Sequence, residues 1–451
     1  MPQPVQPSTF TFRDIIQGGY LYVDKTQYLY DQTKFDNLIQ QLAREGKQVV
    51  ILIDEYDRPM IDNLDNLPAA QAIRKTLRGF YGIIKAMDQY IRFVFITGIS
   101  KFSKVGVFSA LNNPTDLTMN PRFATALGIT AEEMTTYFSE HIAEFAAIEG
   151  ITPEALATKL RQWYDGFCFV EQCDSVYNPF SILQLFYNQR FANYWFGPRG
   201  LPGTPTFLVK LLKERQYDVE QLSDLRLREL SFSTYELETL SIVPLLFQTG
   251  YLTIKDYEPS RRVYTLSYPN LEVEDAFLSY LLGAFSERDR ALNEDYLWQL
   301  VDALEAHDLE QFFVILQTFF ADVPYDIHLK HEKYYQTIFY LIFKLLGLRI
   351  DAEVRTNQGR IDAVAEVYCG CNENRSFYTS KNSGSHSEQS IADHIYLFEF
   401  KLDQSAEDAL QQIKTHEYVQ KYCLKGKPLT PFGANFDSSK RQVTAWVHEQ
   451  D

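Results

Sequence analysis

Residues 35–99 alternate between short, almost wholly apolar runs and longer segments that carry the apolar spacing of a helix. The two runs are residues 49–53 and 91–96, and the helical segments end near Glu45 and Met87. Strands that are parallel neighbours need a crossover connection, and helices in that role bury both faces of the sheet. The pattern therefore predicts a parallel α/β domain at the front of the chain.

The chain has 451 residues, and a single hydrophobic core stops growing at roughly 250–300 residues. We therefore expect three parts: an α/β domain over residues 1–200, a helical middle over 201–325, and a second α/β domain over 326–451. The longest apolar stretch, residues 338–348, is too short for a membrane span and contains Lys344. The N-terminus also lacks the pattern of a secretory signal, so we expect a cytoplasmic protein with no membrane segment.

The net charge is −16, and almost all of the acidic excess lies in residues 1–330. This balance argues against a protein that coats nucleic acid by general electrostatics, but it leaves the last third open to a local site. The five cysteines are scattered along the chain and form no disulfide framework by spacing. They indicate a reducing compartment.

The middle part contains a helical pattern over residues 235–247, followed by two strand patterns around the turn Glu258-Pro259-Ser260. A helix followed by a β-hairpin suggests a winged-helix module, and such modules often bind DNA. The hairpin carries only three cations, Lys255, Arg261 and Arg262, so a structural connector is the alternative. Both interpretations stay open here. Upstream, Asn178-Pro179 predicts the start of a helix, with Asn as the cap.

The strand pattern Leu397-Phe398-Glu399-Phe400-Lys401 places an acid and a base two residues apart. Alternate side chains of a strand share a face, so Glu399 and Lys401 point one way and the phenylalanines the other. A neighbouring strand pattern carries Asp362. We predict that these three charged residues cluster at an exposed edge of a small mixed sheet.

Two carboxylates and one ammonium are a suitable set for phosphodiester hydrolysis. Asp362 and Glu399 would hold Mg²⁺ or Mn²⁺, with the carbonyl of Phe400 as a third ligand. Lys401 would orient or help to deprotonate the attacking water and offset the developing charge. The alternative is a strand pair with ordinary surface ion pairs, since such short patterns also arise by chance.

Residues from Glu332 onward resemble the PD-(D/E)XK nuclease superfamily, in the form that follows an AAA-ATPase-like domain in many bacterial proteins. Glu332 resembles the acid of the first helix, Asp362 the strand acid, and Glu399 with Lys401 the E-x-K strand. Gln412 resembles the polar residue of the next helix. The resemblance implies a restriction-endonuclease-like α/β domain that binds nucleic acid, DNA rather than RNA.

The front of the chain resembles the AAA-ATPase-like part of the same proteins. The segment Gly19-Tyr20-Leu21-Tyr22-Val23-Asp24-Lys25-Thr26 looks like its opening, and Asp54 and Glu55 end a strand similar to a Walker B strand. Phe95-Ile96-Thr97-Gly98 resembles the sensor strand. No G-x-x-x-x-G-K-[ST] motif occurs in the sequence, and about thirty residues separate Asp24 from Asp54, enough for little more than a helix. The phosphate-binding loop is missing, so we do not expect ATP hydrolysis.

These observations combine into a truncated P-loop-NTPase-like domain, a helical and winged-helix middle, and a restriction-endonuclease-like domain. The expected function is magnesium-dependent nuclease activity carried by the last domain. The alternative is a non-catalytic or regulatory interaction protein that keeps both folds as scaffolds, with a protein partner or a second copy of the chain bound to the front.

Overall fold

The computed structural model describes residues 32–63, 66–98, 114–171, 173–195, 206–215, 217–232, 241–323, 332–350, 355–356, 361–367, 394–415, 429–437, 440 and 442–448. The opening segment 19–26 lies outside these ranges. The chain divides into two compact units, residues 1–116 with 233–241, and residues 117–232 with 242–451. Our three-part division at residues 200 and 325 stays a prediction.

The first unit contains a two-stranded parallel sheet. One helix precedes the first strand in the sequence, and two helices connect the first strand to the second. Its elements are α1 (Gln32–Leu42), β1 (Val49–Ile53), α2 (Arg58–Ile61), α3 (Leu67–Ala86) and β2 (Ile91–Ile96). β1 and β2 pair in parallel, as the apolar runs predicted. Asn66 caps α3 by accepting a hydrogen bond from the Ala69 N–H at 3.2 Å, and Pro68 follows in the first turn, where its missing N–H costs nothing.

The two faces of this small sheet have different surroundings. Ile51 is buried on one face, and Phe35 of α1 stacks on Phe80 of α3 with ring centroids 4.4 Å apart. Four large apolar side chains on the opposite face stay 39% to 60% exposed, namely Val50, Leu52, Phe93 and Phe95. Parallel sheets are normally covered on both faces, and among the described residues of this unit no second layer covers this face.

The second unit begins with a helical bundle. Its elements are β3 (Ile129–Thr130), α4 (Ala131–Tyr137), α5 (Ser139–Glu149), α6 (Pro153–Tyr164), β4 (Val176–Tyr177) and α7 (Pro179–Asn188). The predicted helix start is present, since the Asn178 side chain accepts hydrogen bonds from the backbone N–H groups of Phe180 at 2.9 Å and Ser181 at 3.2 Å. Capping by Asn with Pro as the next residue therefore fixes where α7 begins.

A three-stranded antiparallel sheet follows the bundle. Its region contains α8 (Thr206–Glu214), β5 (Leu225–Leu227), α9 (Ile242–Gln248), β6 (Thr253–Glu258) and β7 (Val263–Ser267), with the strand order β5-β7-β6. The predicted hairpin is confirmed as β6 and β7. α9 has the sequence IVPLLFQ, five of its seven residues are buried, and none is exposed. Residues 235–240 of the predicted helix lie outside the described residues, and the described helix offers neither a cation nor a free face to a nucleic acid.

Four helices lead into the last sheet: α10 (Leu271–Ser286), α11 (Arg290–Glu305), α12 (Leu309–Ala321) and α13 (Glu332–Ile350). The sheet contains β8 (Arg355–Thr356), β9 (Ile361–Val367), β10 (His394–Leu402), β11 (Leu429–Asp437) and β12 (Gln442–His448), in the order β12-β11-β10-β9-β8. β10 pairs in parallel with β11 and antiparallel with β9, so the sheet is mixed. Helix α14 (Ala406–Thr415) connects β10 towards β11.

A disulfide joins Cys168 to Cys173, five residues apart in the sequence. This bond removes the support that the scattered cysteines gave to a reducing compartment, because two of the five are paired.

Across the part of the chain that the structure describes, no helix combines the length and the apolar character needed to cross a bilayer. The cytoplasmic location stays a prediction.

Candidate nuclease site

The central strand β10 separates an aromatic face from a charged face. Phe398 lies 5.4 Å from Phe312 of α12 and 5.2 Å from Phe343 of α13, measured between ring centroids. Phe400 lies 4.6 Å from Phe339 of α13. These contacts anchor one face of the strand in the core, so the alternate positions, 399 and 401, belong to the other face.

Glu399 and Lys401 form an ion pair on that second face, with Lys401 Nζ 3.0 Å from Glu399 Oε1. The side chains are 6% and 17% exposed, respectively, so the pair is shielded from bulk water. Our expectation of an exposed edge is wrong, because β10 is the middle strand of five. The pair is recessed instead, since strands flank it on both sides and a helix packs over the same face.

Asp362 stands directly opposite Glu399 in the antiparallel register of β9 and β10. Opposed residues of an antiparallel pair share one face of the sheet, with Cβ atoms about 4.5–5.5 Å apart. The backbone of Asp362 lies within the described residues, but its side chain does not. The structure therefore gives the position of Asp362 on β9 and no side-chain contact. The backbone thus brings residues 362 and 399 to neighbouring positions, although 36 residues separate them in the chain.

Gln412 reaches the charged pair from helix α14. Lys401 Nζ donates a hydrogen bond to Gln412 Oε1. α14 begins after Ser405, whose Oγ accepts a hydrogen bond from the Asp408 N–H at 2.9 Å. Lys401 therefore has an anionic partner on its own strand and a neutral acceptor on the helix above it. Glu332 is the first residue of α13, and its side chain lies outside the description, so its expected role stays a prediction.

The donor chemistry of this face fits a hard divalent cation. The Glu399 carboxylate, a second carboxyl-bearing residue at the opposed position 362, and the carbonyl of Phe400 between Glu399 and Lys401 are all oxygen donors. No cluster of three or more His, Cys, Asp or Glu side chains suited to a metal occurs where side chains are described. The predicted set has two carboxylates and a carbonyl, and Mg²⁺ usually keeps several waters beside such ligands.

The second candidate, Asp54, lies at the carboxyl end of β1 in the first unit. Its Oδ1 accepts hydrogen bonds from Thr97 Oγ1 and from the Glu55 N–H, the latter at 3.1 Å. Glu55 has a positive φ of 49°. Gly98, the residue after Thr97, packs against Tyr56. A Cβ atom at position 98 would come within 2.4 Å of the Tyr56 ring. The carboxyl ends of parallel strands are the usual binding edge of an α/β sheet, and both predicted residues lie there.

Comparison with known proteins assigns a family to both parts of the chain that carry a candidate site. A family model described as a predicted AAA-ATPase matches residues 30–108, and one described as the PD-(D/E)XK nuclease superfamily matches residues 330–446. An uncharacterized protein in the vnfD 5' region of Azotobacter chroococcum mcd 1 is 34% identical over 429 residues, which span 93% of this chain and 75% of that protein. The chain belongs to this AAA-ATPase-like, PD-(D/E)XK family. No solved structure matches it.

Within the PD-(D/E)XK domain, the sequence match begins after α12, yet α12 is part of the core of the sheet. Phe313 of this helix stacks on Trp446 of β12 with ring centroids 5.0 Å apart, and it also contacts Phe398 and Phe432. Gln317 Nε2 donates a hydrogen bond to the Val443 carbonyl at 2.5 Å. A fragment that begins at the domain boundary predicted from the sequence, residue 326, would lose these contacts.

Our sequence reasoning passed over two residues of the PD-(D/E)XK domain, both on β11 beside the charged pair. Gly433 is the register partner of Glu399, and Asn435 is the register partner of Lys401. One signal was present in the sequence, since a glycine inside a strand pattern often marks a close approach of another backbone. For Asn435 no local signal existed, because its partners come from other elements.

Proposed function

We propose that this protein cleaves phosphodiester bonds in nucleic acid by a metal-dependent hydrolysis carried out on the charged face of β10. The observation that supports the proposal most strongly is the recessed Glu399–Lys401 pair, with Asp362 opposed to Glu399 and Gln412 in contact with Lys401. Membership in a nuclease superfamily agrees with nucleic acid as the substrate. We propose DNA rather than RNA.

Each residue of the charged face has a distinct task in this proposal. Asp362 and Glu399 would hold a divalent ion, Mg²⁺ or Mn²⁺, which supplies positive charge beside the scissile phosphate and lowers the pKa of a bound water. The Lys401 ammonium lies next to Glu399, where it can orient the attacking water and offset charge in the transition state. Gln412 restricts the Lys401 side chain by accepting its hydrogen bond.

Low exposure of the pair supports a catalytic role over an ordinary surface ion pair. Exposed pairs between Lys and Glu contribute only about 0–1 kcal/mol to stability, and water screens them. A shielded carboxylate and ammonium interact more strongly, since the effective dielectric constant is lower than in water. The face is therefore organised before a substrate arrives, which is the condition for electrostatic stabilisation of a transition state.

The middle of the chain serves as a structural connector in our proposal, not as a winged helix that binds DNA. The helix in the position of a recognition helix, α9, contains no cation and no exposed residue. DNA-binding modules gain most of their affinity from Lys and Arg at phosphates. Nucleic acid would then be bound by the last domain alone.

A metal-dependent cleavage assay tests the proposed function. Intact protein would be incubated with single- and double-stranded DNA and RNA, with Mg²⁺, Mn²⁺ or EDTA. We expect cleavage only with metal, and a loss of at least about 100-fold in Lys401→Ala and in Glu399→Gln. Asp54→Ala is the matched control and should cleave at the wild-type rate. Equal rates in all four proteins would assign the activity to another site or to a contaminant.

The exposed apolar face of the first unit favours a second candidate function, binding of a protein partner or a second copy of this chain. Val50, Leu52, Phe93 and Phe95 form this face. Contiguous exposed apolar patches often mark interaction sites. Light scattering of the intact protein and of Leu52→Ser with Phe95→Ser would test self-association. A monomer at all concentrations, with no change in the double variant, would exclude a second copy as the partner.

A further inference from the structure

Two β11 residues border the charged pair without contributing charge to it. Gly433 pairs with Glu399 in the parallel register, and Asn435 pairs with Lys401. Because alternate residues of a strand share a face, Gly433 and Asn435 lie on the same side of β11, while Phe432, Ala434 and Phe436 are buried on the other side. Both residues next to the pair are therefore available to contact α14.

Gly433 lies directly beneath helix α14. A Cβ atom at this position would come within 2.1 Å of the Ala406 carbonyl oxygen, 2.4 Å of the Leu410 nitrogen and 2.9 Å of the Leu410 Cβ. Two of these three atoms belong to the helix backbone, so a side-chain rotation cannot relieve the overlap. Gly433 is not among the glycines with positive φ, so the requirement here is space.

This close approach sets the height of α14 above the sheet. Ala406 and Ala409 of α14 are buried, so small side chains on the helix continue the close contact along its length. Gln412 follows Leu410 by two residues and accepts the hydrogen bond from Lys401. A methyl group at position 433 would force α14 away from β11 by several tenths of an ångström or more, which would separate Gln412 from Lys401.

Asn435 fixes the connection between Lys401 and α14. Its Oδ1 accepts a hydrogen bond from the Gln404 N–H at 3.1 Å, and its Nδ2 donates one to Thr444 Oγ1 of β12 at 2.9 Å. The Asp403 N–H donates to the Phe436 carbonyl at 2.9 Å. The turn that follows Lys401 is thus tied to β11 at two consecutive residues.

We propose that Gly433 and Asn435 are positioning residues of the nuclease site, which act by holding α14 where Gln412 accepts the hydrogen bond from Lys401. Neither residue touches the reacting atoms in this proposal. Gly433 fixes the distance between helix and sheet, and Asn435 fixes the start of the helix relative to β11. The consequence for catalysis rests on the function proposed above, but the geometry of Lys401 can be measured without any activity.

Acetic anhydride labelling of Lys401, measured by mass spectrometry on the intact protein, tests the geometry. Gln412→Ala should raise the labelling rate, because Nζ loses its acceptor. Gly433→Ala should raise it to a similar extent, about threefold or more, and the double variant should not exceed the larger single effect. Gly82→Ala is the control, since a Cβ at Gly82 meets no atom within 4 Å and labelling should stay at the wild-type rate.

Asn435→Ala provides a second variant that introduces no overlap, in case Gly433→Ala does not fold by circular dichroism. It should also raise the labelling rate of Lys401. Thr444→Val is its matched control, because it removes the partner of Asn435 Nδ2 and leaves the bond to Gln404 in place. Wild-type labelling in Asn435→Ala and in a folded Gly433→Ala, or full additivity with Gln412→Ala, would overturn the proposal.

Cleavage kinetics then separate positioning from general stability. We expect kcat of Gly433→Ala to fall about tenfold with KM unchanged, and the same kcat in the double variant with Gln412→Ala. If the kcat losses of Gly433→Ala and Gln412→Ala multiply in the double variant, Gly433 acts through some contact other than Gln412. If the wild-type protein cleaves nothing while labelling behaves as expected, the nuclease function is wrong and the positioning geometry stands.

Discussion

The five-stranded sheet of the second unit and the two-stranded sheet of the first unit both carry an acidic residue that the sequence singled out. In the larger sheet, Glu399 lies on the central strand, with aromatic helices behind it and α14 above. In the smaller sheet, Asp54 ends an outer strand, and one face of that sheet is exposed. An acid on a strand depends on its surroundings for any chemistry, and among the described residues the more enclosed surroundings are those of Glu399.

The partners of the two acids differ in the same way. Glu399 has a cation 3.0 Å away and an opposed acid position, which together suit metal-assisted hydrolysis. Asp54 is held by a threonine hydroxyl and a backbone N–H. The sequence contains no glycine-rich phosphate loop to place a nucleotide beside it. Four measurements test this difference between the two sheets.

The largest effect should come from matched phenylalanine substitutions in the two sheets. Phe313 is fully buried between β10, β11 and β12, so Phe313→Ala should lower the free energy of unfolding by about 3–5 kcal/mol. Phe93 is 54% exposed, so Phe93→Ala should cost less than about 1 kcal/mol. Urea unfolding followed by circular dichroism reports on both units, whereas tryptophan fluorescence reports on the second unit, since all four tryptophans lie there. Similar costs at both sites would contradict the contrast in burial.

The second prediction concerns a buried carboxylate without a cation. Burial raises the pKa of Glu272 from 4.5 to about 7, while hydrogen bonds from the Trp195 N–H and the Ser181 hydroxyl oppose the rise. The folded protein therefore binds a proton more tightly than the unfolded chain. Stability from this group is complete below pH 4.5 and is lost as the pH rises to about 7, by up to ~3 kcal/mol.

Glu272→Gln keeps the side chain neutral and should remove this slope. The melting temperature of the wild type relative to Glu272→Gln should decrease as the pH rises from 4.5 to 7. If the melting temperatures of the two proteins change equally with pH, Glu272 does not titrate between pH 4.5 and 7. The result bears on the difference between the acids, because Glu399 has Lys401 beside it, whereas the described hydrogen-bond partners of Glu272 are neutral donors.

The third prediction is that Mg²⁺ or Mn²⁺ stabilises the second unit. Carboxylates at positions 362 and 399 repel each other, and a divalent ion should relieve more of that repulsion than Lys401 does. At 100 times the dissociation constant, binding stabilises by about 2.7 kcal/mol. Intact protein should be used, because α12 belongs to the core of this sheet.

Variants at the two acids assign the ion in the same melting experiment. Asp362→Asn and Glu399→Gln should gain less from the metal than the wild type, and Asp54→Asn should gain as much. Each shift is measured from the variant's own metal-free melting temperature, because Glu399→Gln removes the ion pair with Lys401 as well as a charge that repels position 362. Equal shifts in all variants would place the ion elsewhere and favour the non-catalytic interaction protein.

The smallest expected effect is an absence of nucleotide binding at the first unit. Without a cradle of backbone amides, ATP and its analogues should give no saturable heat in calorimetry at millimolar concentration. Asp54→Ala should behave as the wild type does. Saturable binding that disappears in Asp54→Ala would mean that the two sheets are more alike in function than their surroundings indicate.

The charged face of β10 was accessible from the sequence because its cause is local. Alternation of side chains along a strand requires no knowledge of neighbours, so Glu399 and Lys401 share a face in any fold that keeps the strand. The start of α7 at Asn178 and the parallel pairing of β1 with β2 were predicted for similar reasons. Capping and apolar patterning act over a few residues.

The surroundings of that face were decided by the tertiary structure. The opposition of Asp362 to Glu399 depends on strand register, and the recessed position depends on which strands pair outside β10. The inclusion of α12 in the core and the contact of α14 with Gly433 arise from packing between segments more than twenty residues apart. By itself the sequence identified the residues that we propose to carry the chemistry, and only the packing of distant elements determined how deeply they lie and what holds them there.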